Sequence, residues 1–269
     1  MSTVQTFAVP RGRRARSFTI KGAPMVAACF AAAALAPAAG LDGYWASKLA
    51  TLLAFALAVR SLQLLIGASG QVSLGHGAFF AIGAYAAGVL AMHGGTPGLA
   101  GVPMGALVAG VIGFLIGLPA VRLAGPYLAL ATFALAIALP QLLKHPGFES
   151  WTGGVSGLSL DLPVSPVAWL SADQWVLLVA AFWCGLGYLI VERLLKGPCG
   201  LAWTSLRDQP TAATAAGIHV PKWKAIAFAV SSALAGAAGA VSTAISSFVA
   251  PDSFNIFLSL SLLVGVALA

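Results

Sequence analysis

Residues 67–90 read GASGQVSLGHGAFFAIGAYAAGVL, a glycine-rich polar stretch that runs directly into a segment apolar enough to cross a membrane. Glycine lowers helix stability by about 1 kcal/mol relative to alanine. Because Gly67, Gly70, Gly75 and Gly77 crowd this stretch, the sequence predicts a break in the helical backbone around Gly70–Gly77. Irregular backbone at membrane depth persists only where protein or water surrounds it, so the break is expected inside a bundle of helices.

The composition indicates an integral membrane protein built from helices. The chain is 59% hydrophobic and 8% charged, whereas soluble domains are about 45–50% apolar and about 25% charged. Recurrent glycine and alanine suit closely packed transmembrane helices better than the weak alternation of an outer-membrane barrel. The net charge of +7 lies in clusters between apolar runs rather than over a soluble face, which argues against a nucleic-acid partner. We expect an all-α polytopic bundle in the lipid bilayer.

Apolar runs of about 20 residues, the length that crosses a bilayer, define the expected spans. There are eight of them: 24–41, 48–66, 73–92, 100–118, 126–143, 174–191, 224–248 and 254–269. The expected organisation is a basic N-terminal segment, 1–23, followed by a single transmembrane domain, 24–269, whose largest cytoplasmic segment is 192–224. The last run stops at Ala269 without a polar tail, as in a fragment or a shortened relative.

The positions of lysine and arginine predict the orientation, because cytoplasmic loops hold the excess of positive charge. With the N-terminus in the cytoplasm, eleven of the basic residues fall inside and only Lys48 and Lys144 outside, with Arg60 within a span. The first span has an alternative interpretation as a cleaved signal peptide, since its basic start and Ala-Pro-Ala-Ala end also fit that pattern.

Two helical stretches carry small residues four positions apart, a spacing that places them on one face. In the span 100–118 these residues predict close helix packing: Gly105, Ala109, Gly113 and Gly117, preceded by Gly101. In 231–247 the corresponding positions include hydroxyls, so packing and a solvated path both remain open: Ser231, Ala235, Gly239, Thr243 and Ser247.

The sequence argues against a catalytic site, a metal site or a nucleotide site in this chain. All seven acidic residues fall at span ends or in loops, so no intramembrane carboxylate is available to relay protons or bind a coupling cation. The three cysteines have no metal-ligand spacing. No G-x-x-x-x-G-K-[ST] motif occurs, so any ATP must be bound by a partner.

Two loops contain sequence patterns that predict local structure or function. Within 192–224, Asp208 can cap a helix, Pro210 suits its first turn and Gly217 suits the left-handed position after its end, which predicts a short helix over 210–216. The external segment WTGGVSG, 151–157, lies in a loop long enough to be functional, although a flexible tether is the alternative.

Five segments together resemble one family, the membrane permease subunits of bacterial branched-chain amino acid ABC transporters, and the M-type rather than the H-type subunit. They are the opening stretch 67–90, GLPAVRLAGPYLALATFALA at 117–136, WTGGVSGLS at 151–159, LRDQPTAATAAGIHVPKWKAIAFAVSSALAGAAGAV at 206–241, and FVAPDSFNIFLSLSLL at 248–263. Relatives continue past the last segment, so the family's C-terminal spans are absent from this sequence.

The resemblance implies a pore half rather than an enzyme, in the bacterial inner membrane. Such a subunit pairs with a second permease, two cytoplasmic ATPases that bind ATP, and a periplasmic binding protein that delivers Leu, Ile, Val or small amides such as urea. The family's ATPase-coupling loop corresponds to 206–218, although Thr214 stands where relatives often have glutamate. The matching residues are Arg207, Asp208, Ala212, Ala213, Gly217 and Ile218.

The polar residues of the opening stretch and of the external loop are the candidate substrate path. Broken helices expose backbone groups that can contact a zwitterion without a buried charge. The candidates are Gln71, Ser73, His76, Thr152, Gly153 and Gly154. In the alternative interpretation the first three only cap a turn near the cytoplasmic surface. A different class of function, an ion-coupled carrier or membrane-embedded enzyme, would use His76 as its titrating group.

Overall fold

The computed structural model describes residues 42–94, 101–120, 126–160, 165 and 170–268. The chain in these residues is a helical bundle with one two-stranded sheet. Its helices are α1 Gly43–Gln63, α2 His76–Gly94, α3 Gly101–Ala120, α4 Pro126–Leu143, α5 Glu149–Thr152, α6 Ala172–Lys196, α7 Pro198–Asp208, α8 Pro210–Ala215, α9 Val220–Ser246 and α10 Ile256–Leu268. The strands β1 Leu158–Ser159 and β2 Phe248–Val249 pair antiparallel.

Six of the described helices are long and apolar enough to span a membrane. They correspond to the predicted spans from 48–66 to 224–248, and the all-α polytopic fold is confirmed. The predicted span 24–41 and the segment 1–23 lie outside the described residues. The last predicted span, 254–269, is longer than the helix observed there, because Pro251–Phe254 form a 3-10 turn and α10 begins only at Ile256.

Helix α9 lies at the centre of the bundle and packs against α3, α2, α1 and α6. Its long run of small residues allows this, since three glycines on three helices meet at one point. A Cβ on Gly236 of α9 would lie 2.6 Å from the carbonyl oxygen of Gly105 on α3, and a Cβ on Gly105 would lie 2.7 Å from that of Gly83 on α2. Helices in lipid associate through such close backbone packing, because lipid offers no hydrophobic gain on association.

The predicted small-residue face of 100–118 lies against α9 from Gly105 to Gly117, whereas Gly101 at its start lies against Ala87 of α2. Ala109 is fully buried and touches the site where Gly236 lacks a side chain. Added Cβ atoms at Gly113 and Gly117 would meet Ser232 and Phe228 respectively. The opposite side of α3 carries exposed apolar residues, as expected of a lipid-facing or subunit-facing surface: Met104, Leu107, Val111, Leu115 and Leu118.

Local signals explain where several helices begin. The Ser171 hydroxyl accepts a hydrogen bond from the Gln174 backbone N–H, and the Gln174 side chain accepts one from the Ser171 N–H, which is a capping box at the start of α6. Helix α9 has a proline in its first turn, where the missing N–H costs nothing. The two long helices that flank the loop bearing α8 therefore both begin at a recognisable sequence signal.

We predict that Gly236→Ala destabilises the bundle, because its Cβ would collide with Ala109 and with the Gly105 carbonyl. Overpacking of this kind costs about 1–3 kcal/mol. The matched control is Gly67→Ala, whose Cβ would meet nothing within 4 Å. Thermal unfolding of the purified protein in detergent, followed by intrinsic tryptophan fluorescence, measures both. Equal melting temperatures for the two variants would contradict the three-glycine contact.

Candidate translocation site

The predicted break is present between α1 and α2. Helix α1 loosens into a π-helical turn, Leu64–Ala68, and regular helix resumes only at His76. Gly70 has a φ of 68°, a left-handed conformation that glycine adopts without strain. The Gly70 N–H bonds to the Ile66 carbonyl at 3.2 Å, and the Gln71 N–H reaches the Leu65 carbonyl at 3.3 Å. The backbone therefore ends one helix and turns away before starting the next.

Hydroxyl groups from distant helices satisfy the backbone N–H groups that this break leaves without helical partners. The Leu74 N–H donates to Thr132 Oγ1 of α4 at 3.0 Å. The Gly77 N–H donates to Ser259 Oγ of α10 at 3.0 Å. An unpaired backbone donor in a bilayer costs several kcal/mol, so these two hydroxyls allow the irregular backbone to persist there.

His76 begins α2 and is fully buried in a chain of hydrogen bonds that joins three helices. Its Nε2 lies 2.8 Å from Ser231 Oγ of α9, and the Ser231 hydroxyl donates to the Ser61 carbonyl of α1 at 2.6 Å. A hydroxyl has a single proton, so Ser231 accepts from His76 and the imidazole proton lies on Nε2. Nδ1 is then an acceptor and faces the Ser73 hydroxyl at 3.4 Å.

This cluster lies well inside the bundle rather than at its surface. Ser231 follows Val220, the first residue of α9, by eleven positions, which corresponds to about 16 Å of helix. Gln71 lies apart from the other two candidates: its Nε2 donates to the Lys224 carbonyl near the start of α9 at 3.2 Å and to Ser69 Oγ at 2.9 Å. The break thus lies alongside α9 from Lys224, near the start of that helix, to Ser231 in its interior.

None of the three candidate path residues of the break is open to solvent in this conformation. Gln71 is 5% exposed, Ser73 is 1% exposed and His76 is fully buried. The hydroxyl face of 231–247 is packed in the same way, since Thr243 Oγ1 donates to the Ala84 carbonyl of α2 at 3.2 Å. These polar groups are therefore closed off from solvent in this conformation.

The other candidate path residues lie at the opposite end of α2. Trp151 stacks on His93, with ring centroids 5.0 Å apart, and His93 follows His76 by about 25 Å of helix. The Thr152 hydroxyl donates to the Leu143 carbonyl at 2.8 Å. Gly153 and Gly154 have φ values of 70° and 55°. The structure does not bring these three residues next to Gln71, Ser73 or His76; it builds them into a defined turn beside β1.

The short helix predicted in the segment 192–224 is present as α8, and Gly217 follows it with a φ of 83°, as expected. The Ile218 N–H bonds to the Ala213 carbonyl and the Gly217 N–H to the Thr214 carbonyl, both at 3.0 Å, which is a Schellman ending. Ala213 is buried, whereas Ala212 is exposed. One side of α8 therefore rests on the protein and the rest is free.

The predicted cap at Asp208 is wrong. The residue at the helix N-cap is Gln209, without a side-chain cap, and the Asp208 carboxylate instead accepts a hydrogen bond from Arg207 Nε at 2.9 Å. The reason is geometric, since α7 continues through Asp208 and leaves only Gln209 between the two helices.

The contacts of two arginine side chains were not predicted from the sequence. Arg60 is buried in α1, donates to Gln63 Oε1 at 2.6 Å and lies over the Tyr188 ring of α6 at 5.3 Å. The position of Arg60 inside an apolar span is the sequence signal that could have indicated these contacts. Arg207 donates through Nη1 to the Gly67 carbonyl in the π-helical turn that precedes the break, a contact between residues far apart in the sequence that no motif predicts.

Comparison with known proteins gives the family. A family model described as "Branched-chain amino acid transport system / permease component" matches residues 44–269. The high-affinity branched-chain amino acid transport system permease proteins LivM of Salmonella typhimurium and of Escherichia coli are each 32% identical over 216 residues, which covers 72% of this chain and 51% of the relative.

The chain spans about half the length of the curated relatives it matches. No solved structure matches it. Within the described residues, no group of three or more His, Cys, Asp or Glu residues could hold a metal ion. The matched region includes the six apolar helices, apart from Gly43 at the start of α1, and both polar segments described above. The chain is therefore a multi-pass membrane protein that belongs to the family of permease components of branched-chain amino acid transport systems.

Proposed function

We propose that this chain is a permease subunit of an ATP-binding-cassette importer and forms half of a translocation path for Leu, Ile, Val or a related small amide such as urea. The observation that carries the proposal is the family match over 44–269, which includes both the broken segment and the loop that bears α8. Neither the family nor the relatives support the alternative, an ion-coupled carrier or enzyme using His76.

The proposed partners follow from the kind of transporter. A second permease completes the path, two cytoplasmic ATPases bind ATP, and a periplasmic binding protein selects the substrate. This chain contributes no cofactor. Helix α8 is the proposed contact with an ATPase, because it is short, closed by a Schellman ending and largely exposed between two longer helices. A rigid segment of this kind can transmit motion between subunits.

The break is the proposed substrate-contacting part of the path. A branched-chain amino acid is a zwitterion with an apolar side chain, so its site needs polar groups without a full buried charge. The first backbone N–H groups of α2 point out of a helix N-terminus, which favours a carboxylate. Ser259 Oγ accepts from one of them, Gly77 N–H, in this conformation. A substrate carboxylate would replace that hydroxyl when the path opens.

Composition of the complex tests the proposal. We expect the tagged protein, purified in mild detergent from its native membranes, to carry a second permease and an ATPase with it. In liposomes, the binding protein loaded with leucine should raise ATP hydrolysis and drive uptake of labelled leucine. A parallel measurement with labelled urea separates the two substrate classes. Purification without an ATPase, together with uptake that is independent of ATP, would overturn the proposal.

The proposed orientation places the N-terminus and α8 in the cytoplasm and the 151–157 turn outside. After removal of the native cysteines, Thr211→Cys should react only with reagent supplied from the cytoplasmic side, and Val155→Cys only from the outside. Both side chains are exposed, and Val155 is 68% exposed, so access does not limit the reaction. Labelling of both positions from the same side would refute this threading.

The proposed path predicts that the closed polar cluster opens during the transport cycle. Ser73→Cys should react slowly in the resting complex, because Ser73 is 1% exposed, and faster when ATP is trapped on the ATPases. The matched control is Val72→Cys at the neighbouring position, since the Val72 side chain is already 43% exposed. If Ser73→Cys reacts equally in both states, the segment is a static turn and does not line the path.

A further inference from the structure

The end of α7 touches the break directly. Arg207 donates through Nη1 to the Gly67 carbonyl in the last turn before the break, and through Nε to its neighbour Asp208. Carbonyls at the end of a helix lack intrahelical partners, so a side-chain donor there satisfies a group that is otherwise free. Both nitrogens belong to one planar guanidinium, which holds the two acceptors in a fixed relation.

Gly70 makes room for this arginine. A Cβ on Gly70 would lie 2.7 Å from Arg207 Cγ and 3.3 Å from Arg207 Cβ. The aliphatic stem of the arginine therefore lies directly on the backbone of the break. Glycine suits this position for two reasons: its φ is 68°, and the side chain of Arg207, 137 positions later in the sequence, lies against it.

A second contact joins the break to the other side of the same loop. Gln71, the next residue of the break, donates to the Lys224 carbonyl in the first turns of α9. Helix α8 lies in sequence between Arg207 and Lys224. Both flanks of α8 are thus attached to the segment 67–71: Arg207 through its guanidinium to the Gly67 carbonyl, and Lys224 through its carbonyl to the side-chain amide of Gln71.

We propose that Arg207 is a positioning residue that ties the break to the α8 loop, so that movement of α8 is transmitted to the candidate path through this contact. The inference rests on the proposed function and deepens it. It also reassigns Arg207, which the family resemblance places among the residues facing the ATPase: its two hydrogen bonds are both made within this chain.

The first experiment needs no partner subunit. Hydrogen exchange of the peptide covering 66–75 is measured in the purified wild-type chain and in Arg207→Ala. We expect about ten-fold faster exchange in the variant, the size of effect that loss of one charge-assisted hydrogen bond gives. Lys196→Ala is the matched control, since Lys196 pairs with Glu192 one turn earlier on its own helix. Unchanged exchange in Arg207→Ala overturns the proposal.

Two further variants keep the test decisive if Arg207→Ala fails to insert. Arg207→Lys keeps the charge but loses the planar fork, so its exchange should lie between wild type and alanine. Gly70→Ala displaces the arginine stem and should also speed exchange. The two changes act on one contact, so Gly70→Ala combined with Arg207→Lys should exchange no faster than the faster single variant. Fully additive effects would show two independent roles and overturn the proposal.

The second experiment uses the assembled transporter. In Arg207→Ala the ATPases should still co-purify and hydrolyse ATP, while the amount of substrate imported per ATP falls about ten-fold. Loss of the ATPases from the complex would show that Arg207 faces outward, contrary to the proposal, and unchanged import per ATP would contradict it equally. Failure of the wild-type protein to form such a complex refutes the proposed function instead. The exchange measurement then tests only the contact between Arg207 and the break.

Discussion

The structure depends on one constraint: backbone N–H groups released by a helix break inside a bilayer must find partners within the protein. Six residues between α1 and α2 lie outside any helix, Gly70–Gly75. Hydroxyls of Thr132 and Ser259 accept from the backbone on either side of His76. These hydroxyls come from α4 and α10, so two helices distant in the sequence must lie against the break for it to be stable.

The second requirement is that helix backbones approach closely enough for short side chains to connect them. Serine reaches only a few ångströms, yet Ser231 contacts both His76 of α2 and the Ser61 carbonyl of α1. The meeting of Gly83, Gly105 and Gly236 brings α2, α3 and α9 to that distance. The close glycine packing of α2 against α9 therefore allows the short Ser231 side chain to reach His76.

Much of the fold follows from local sequence properties. Apolar length predicts the spans, four glycines predict the break, and Gly217 predicts the ending of α8, because each signal acts within a few residues. The partners of the polar groups do not follow in this way. His76 and Ser231 are 155 positions apart, and Arg207 and Gly67 are 140 apart. Such pairs are decided by which helices become neighbours, and many serines and threonines in this chain offer the same hydroxyl.

The small sheet anchors one end of α9. Strand β2 follows α9 directly, and its pairing with β1 attaches that end of the helix to the loop beside α5. At its other end, α9 continues from the segment that bears α8. A helix of 27 residues is about 40 Å long, and a rigid rod held at one end swings about that point like a lever. A rotation of α9 about its sheet end would therefore displace the α8 end most and Ser231 somewhat more than half as far, which would move the Ser231 hydroxyl relative to His76.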